Sequence, residues 1–184
     1  GRGGRVLRGT TLANSGPGSL AEALLTPGPR LVVFEVGGVI DLALSTLKVS
    51  EPFLTIAGQT APAPGITLIR GGVSVATHDV VIQHLRVRPG TAGQKTGWQP
   101  DGISSSSGAY NFIVDHCSLS WAVDENLSAS GSRFKGNTPD EWRQNTTHQV
   151  TFSHNIVAEG LAHATHEKGE HSKGSLIHDN VTSV

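Results

Sequence analysis

Cysteine, methionine, aromatic rings and excess charge are what this sequence lacks. One cysteine, Cys117, stands among 184 residues, which excludes an intrachain disulfide framework. Aromatics make up 5%, too few for a core built around large rings. The 14 basic and 15 acidic residues leave a net charge of −1, without the basic excess that binding to nucleic acid requires. No apolar run approaches the roughly 20 residues of a membrane span, so neither nucleic acid nor a membrane is expected as partner. Methionine is absent and the first residue is Gly1. We therefore expect processing or truncation upstream, which would hide any secretion signal. What is present is glycine, 23 residues of it, and a length sufficient for one domain over 1–184 with a substantial core.

A repeat organises the chain. His78 to Val87, Tyr110 to Leu119 and His148 to Val157 align without gaps, their starts 32 and 38 residues apart. In each copy the third and fifth positions are apolar: Val80 and Ile82, Phe112 and Val114, Val150 and Phe152. That alternation describes a half-buried strand. The seventh position is histidine throughout: His84, His116 and His154. A looser copy contains Leu54 to Gly58, and a further one is placed with Asp179 at position one. One such strand cannot bury its own apolar face, whereas stacked copies, one per coil, form a continuous core with like residues above like. The expectation is all-β, a right-handed parallel β-helix (a single-stranded solenoid). Helical periodicity is read only at Ser19 to Leu25, where Ser19 and Glu22 form a capping box, and this predicts a short helix over the N-terminal end. Gly131 to Thr147 and Ala162 to Ser172 break the strand rhythm and are read as projecting loops. The Asp115-His116 pair is read as structural, because its histidine belongs to a repeated position that suggests a buried ladder.

Several motifs resemble the calcium-dependent pectate lyases, in a bacterial branch of that family. They are Leu54 to Ala61 (LTIAGQTA), Val114 to Trp121 (VDHCSLSW), Val123-Asp124-Glu125-Asn126, His171-Ser172-Lys173-Gly174 and the opening Ser15 to Leu20 (SGPGSL). The resemblance covers nearly the whole chain. It implies a secreted enzyme, extracellular or periplasmic, that cleaves polygalacturonate, the backbone of pectin, by β-elimination. It implies Ca2+ as cofactor, with Asp101 and Asp124 at calcium-binding positions, and Lys173 as a catalytic-site residue that binds a substrate carboxylate. A second calcium carboxylate would be expected four residues before Asp124. Ser120 stands there, and Glu125 can replace it only if the strand is distorted, because neighbours on a strand face opposite ways. The base arginine is expected beyond residue 184, since the repeat frame puts Val184 at position six of a new copy. Arg133 and Arg143 are the arginines downstream of Asp124 and are candidates for substrate binding.

The chemistry explains these residue types. Removing the proton next to a uronate carboxylate requires that carboxylate to be neutralised, which calcium held by hard oxygen ligands can do. Each candidate also has a plainer reading. Asp101, between Pro100 and Gly102, fits a turn, and an isolated lysine is usually solvated. The His163 to His171 segment has a His spacing that could hold zinc on a helix. Gly169 and the absence of an apolar face favour an exposed loop at the rim of a cleft. Two other functions compete: a non-catalytic β-helix fragment that binds acidic polysaccharide, and a polygalacturonase-like hydrolase. The paired-aspartate strand of an inverting hydrolase is not found. A cut last coil would also expose an apolar edge and invite end-to-end self-association.

Overall fold

The computed structural model describes residues 1, 3–106, 108–182 and 184. Their strands, numbered in chain order, stack into three sheets. The first contains β1 (Arg5–Gly9), β2 (Arg30–Phe34), β5 (Leu54–Ala57), β8 (His78–Gln83), β11 (Tyr110–Asp115) and β14 (His148–Ser153). The second contains β3 (Gly38–Asp41), β6 (Ile66–Ile69), β9 (Leu85–Arg88), β12 (Ser118–Leu119) and β15 (Ile156–Val157). The third contains β4 (Leu47–Val49), β7 (Val73–Val75), β10 (Ile103–Ser105), β13 (Glu125–Ala129) and β16 (Lys173–Ile177). From β2 onward each coil gives one strand to each sheet, and neighbouring coils pair in parallel. This is the right-handed parallel β-helix expected from the repeat, with the hand that parallel connections between right-twisted strands adopt.

The register follows the sequence repeat. Tyr110 pairs with His78 on one side and His148 on the other. The third and fifth positions point inward, so Val80, Ile82, Phe112, Val114 and Val150 are all buried in one cluster with Leu54, Ile56 and the inward residues of the other two sheets. The last copy was misplaced by three residues. A parallel bridge joins His148 to Thr182, so Thr182 holds position one and Val184 position three. With Asp179 at position one, Val181 falls at the inward third position, and the Asp179-Asn180 turn before it was mistaken for the strand start.

The first helix, α1 (Leu20–Leu25), is capped as expected. The Ser19 hydroxyl accepts from the Glu22 amide, and the Glu22 carboxylate accepts from the Gly18 amide. Leu20, Ala23 and Leu24 are buried over the end of the core. Its open carbonyls meet a residue the sequence did not single out. Arg30, fully buried, donates to the carbonyls of Ala23 (3.0 Å), Leu24 (2.8 Å), Gly28 (3.2 Å), Glu51 (3.1 Å) and Pro52 (2.9 Å). It ties the capping helix to the first coils.

Two expectations are corrected. The histidine ladder is real, with ring centroids 4.9 Å apart for His84–His116 and 4.5 Å for His116–His154, but it lies outside the coil. These residues sit at φ +55, +53 and +53, a left-handed corner that ends the strand and turns the side chain to solvent. Polar residues tolerate that corner best. Second, the Gly131 to Thr147 segment is not all loop. It forms α2 (Pro139–Asn145), whose Thr138 hydroxyl accepts from the Glu141 amide. The signal was Thr138-Pro139-Asp140-Glu141, an N-cap with proline at the first helical position and acids in the first turn.

Candidate metal centre

The third sheet builds the site. Asp101 lies two residues before β10, Asp124 lies in the bend before β13, and Glu125 opens β13. Glycines let these coils approach closely. A Cβ on Gly72 would lie 2.0 Å from the Asp101 carbonyl oxygen, and one on Gly102 would lie 2.3 Å from that of Asn126. The Gly102 amide donates to the Glu125 carbonyl at 2.9 Å, and the Glu125 amide reaches Oδ1 of Asp101 at 3.3 Å. One coil on, the Lys173 amide donates to the Asp124 carbonyl at 2.9 Å.

These contacts bring one carboxylate oxygen each from Asp101, Asp124 and Glu125 to within 4.8 Å of one another. The distortion that Glu125 needed is present. Asp124 is outside the strand, and all five residues of β13 are buried rather than alternating, because one face packs on the core and the other lies beneath neighbouring loops. Ser120 is buried elsewhere in its coil and adds no carboxylate. Burial and the neighbouring charges both disfavour the ionised forms here. Burial pushes Asp101 above its ordinary value, and the Asp124 charge adds to this. Burial, then the charges of Asp124 and Asp101, push Glu125 up to about 7. Among the described residues no lysine or arginine pairs with any of the three. Oδ1 of Asp124 is buried and has no hydrogen-bond partner. A buried carboxylate oxygen without a donor is costly, and a cation would satisfy it while relieving the crowding. The donor set is all oxygen, which suits Ca2+.

The cleft over this centre has a volume of about 440 Å³ and is lined by the three acids together with Arg133, Lys168, His171 and His178. Arg133 therefore reaches the site. Its Nη2 lies 3.2 Å from His178 Nε2 and its Nη1 4.0 Å from Asp179. Arg143 does not line the cleft. It pairs with Asp140 at 2.9 Å on α2. Lys173 begins β16 in register with Glu125, is exposed, and has no ion-pair partner among the described residues.

The His163 to His171 segment was expected to be an exposed rim loop; it is a loop at the cleft with most residues exposed, but not all of it faces water. It folds back, burying His166 at 5% exposure and half-burying His171. Both Nε2 atoms lie 3.3 Å from Asp124, His166 against Oδ2 and His171 against Oδ1. The density of histidine just before Lys173 was the available signal, since Lys173 is bonded to Asp124. A second group, Asp115 with His116 and His154, is also compact. There the Asp115 carboxylate is already saturated by His116 Nδ1 (2.8 Å), Ser153 Oγ (2.8 Å), Gln83 Nε2 (3.0 Å) and His154 Nδ1 (3.1 Å). These donors, the His116 ring first, hold its pKa well below the ordinary carboxylate range. It is a structural ladder on another sheet.

Comparison with known proteins finds relatives that match most of the chain. A probable pectate lyase C of Emericella nidulans is 40% identical over 170 residues, which is 92% of this chain. The chain is a homologue of the probable pectate lyases C. Proteins of that name from Aspergillus oryzae (38% over 170 residues) and Aspergillus terreus (36% over 178 residues) match similarly. The chain spans about a third of the length of these pectate lyase relatives, 35% for the Emericella nidulans protein. Among solved structures, Jun a 1, the major allergen from cedar pollen, superposes with a TM-score of 0.60 at 18% identity. The match covers 86% of this chain and 56% of the allergen, and it concerns the fold alone. No family model matches the chain.

Proposed function

We propose that the protein cleaves polygalacturonate by calcium-assisted β-elimination, outside the cell. The observation that carries this reading is the convergence of carboxylate oxygens from Asp101, Asp124 and Glu125, where Asp124 also keeps a buried Oδ1 without a hydrogen-bond partner. These three residues would hold the calcium ion. A calcium ion held by them would supply the positive charge that neutralises a uronate carboxylate and eases removal of the adjacent proton. Lys173, one coil on from Glu125, binds a second carboxylate of the polymer as a point charge. Arg133, at the cleft wall, binds a third. Arg133 lies at the cleft wall beside His178 and is assigned to substrate. Arg143, paired on α2, is given no part in the cleft.

Calorimetric titration of calcium into the wild type and Asp124→Ala tests the metal centre, and equal affinity in both would remove Asp124 from it. Unsaturated product released from polygalacturonate distinguishes a lyase from a hydrolase. Polymer binding with no cleavage of either kind would favour a non-catalytic binding module.

A further inference from the structure

This inference rests on the calcium reading and concerns the folded-back segment above Asp124. That segment is pinned on both sides. The Gly97 amide donates to the Thr165 carbonyl (2.8 Å), and the Thr165 hydroxyl donates to the Trp98 carbonyl (2.5 Å). At the other end the Ser172 hydroxyl donates to the Ala122 carbonyl (2.6 Å) and accepts from the Leu161 amide (2.8 Å).

Between these anchors the ring of His166 has a defined tautomer. Its Nδ1 lies 3.0 Å from the backbone nitrogen of Lys168. A backbone N–H can only donate, so Nδ1 accepts and carries no proton. The neutral ring must then hold its proton on Nε2, which faces Oδ2 of Asp124 at 3.3 Å. The other oxygen, Oδ1, is buried and has no hydrogen-bond partner. His171 approaches it at 3.3 Å, and neither histidine contact with Asp124 is a formed hydrogen bond: both are close polar approaches.

We infer that His166 is a positioning residue for the metal centre: its buried ring, with Nε2–H set against Asp124, limits how that carboxylate can turn and so orients it toward the cation. The same tautomer separates His166 from zinc chemistry. The Asp124, His166 and His171 ligand atoms are close enough for a metal. Ligation through Nε2, however, would require a ring already accepting at Nδ1 to lose its remaining proton. The segment therefore orients a calcium ligand rather than supplying one, in the way that hydrogen-bond partners behind a ligand set its direction.

The test uses the full chain, with calcium alone as the probe. His166→Ala is expected to weaken calcium binding by roughly 10–100-fold. His166→Gln, whose amide can donate from a similar reach, is expected to recover most of it. A role confined to holding the loop would not be rescued in this way. Nitrogen-15 NMR of labelled histidine gives a readout independent of calcium, with His166 expected to be protonated at Nε2 and bare at Nδ1. A proton on Nδ1, wild-type calcium affinity in His166→Ala, or stoichiometric zinc binding that His166→Ala abolishes would each overturn the inference. If the wild type binds no calcium, the metal reading itself fails and takes this inference with it. If the wild type binds calcium and His166→Ala binds equally well, this inference alone falls.

Discussion

Replacing Glu125 with glutamine is expected to stabilise the calcium-free protein and to remove its response to calcium. Three carboxylates share the cleft, and Glu125 is pushed from 4.5 up to about 7 by burial and by the charges of Asp124 and Asp101. Between those two values the folded protein holds a proton that the unfolded chain has released. Stability therefore falls as pH rises from about 4.5 through about 7, and the loss is complete by about pH 8. At about 1.36 kcal/mol per pH unit of difference, the ceiling is about 3 kcal/mol. The cleft is open to water at its mouth, and screening reduces the expected gain to about 1–2 kcal/mol. Glutamine keeps the shape and drops the charge. For a chain of this size the gain corresponds to a rise in Tm of roughly 2–8 °C at pH 8 in chelator, with wild type and variant converging toward pH 5. Calcium at about 100 times its Kd would raise the wild type by about 2.7 kcal/mol and change the variant little. Thermal scans at both pH values, with chelator and with calcium, decide the matter. A variant less stable than wild type at pH 8 without calcium would refute the argument from carboxylate crowding.

Other perturbations follow from particular contacts. Arg30→Leu leaves five carbonyls without their buried donor and is expected to cost about 3 kcal/mol or more by chemical denaturation. Gly102→Ala drives a methyl group into the Asn126 carbonyl beneath the site, and calorimetry is expected to find calcium affinity lost together with part of the stability. His116→Gly is expected to match or exceed His116→Ala in Tm, because the left-handed corner at φ +53 penalises a Cβ by about 1–2 kcal/mol. Asp115, whose folded pKa is depressed, contributes stability that is present above its unfolded pKa and lost as pH falls through the folded one. Asp115→Asn is therefore expected to unfold earlier than wild type at neutral pH, with the gap closing in acid below about pH 4.

The sequence by itself determined the coil. Inward Val80, Phe112 and Val150 recur at one position of a strand, and parallel stacking places like residues over like, so a spatial repeat is also a linear one. The same logic made the α1 cap legible, because Ser19 and Glu22 act on neighbours in the chain. Asp101, Asp124, Glu125 and Lys173 were legible only through motif resemblance. Their meeting depends on how far apart the coils lie and how long the intervening loops are, and neither is periodic. The tertiary structure decided that Glu125 turns beside Asp124, that glycines at 72 and 102 let the acids crowd, and that His166 comes back from a distant loop to face Oδ2. It also decided that the histidine ladder faces water and that Thr182 starts the last copy. A strand's alternation says which residues share a face. Which face is inside, and which residue of the next coil lies against it, is set by backbone corners and by packing between segments far apart in the chain.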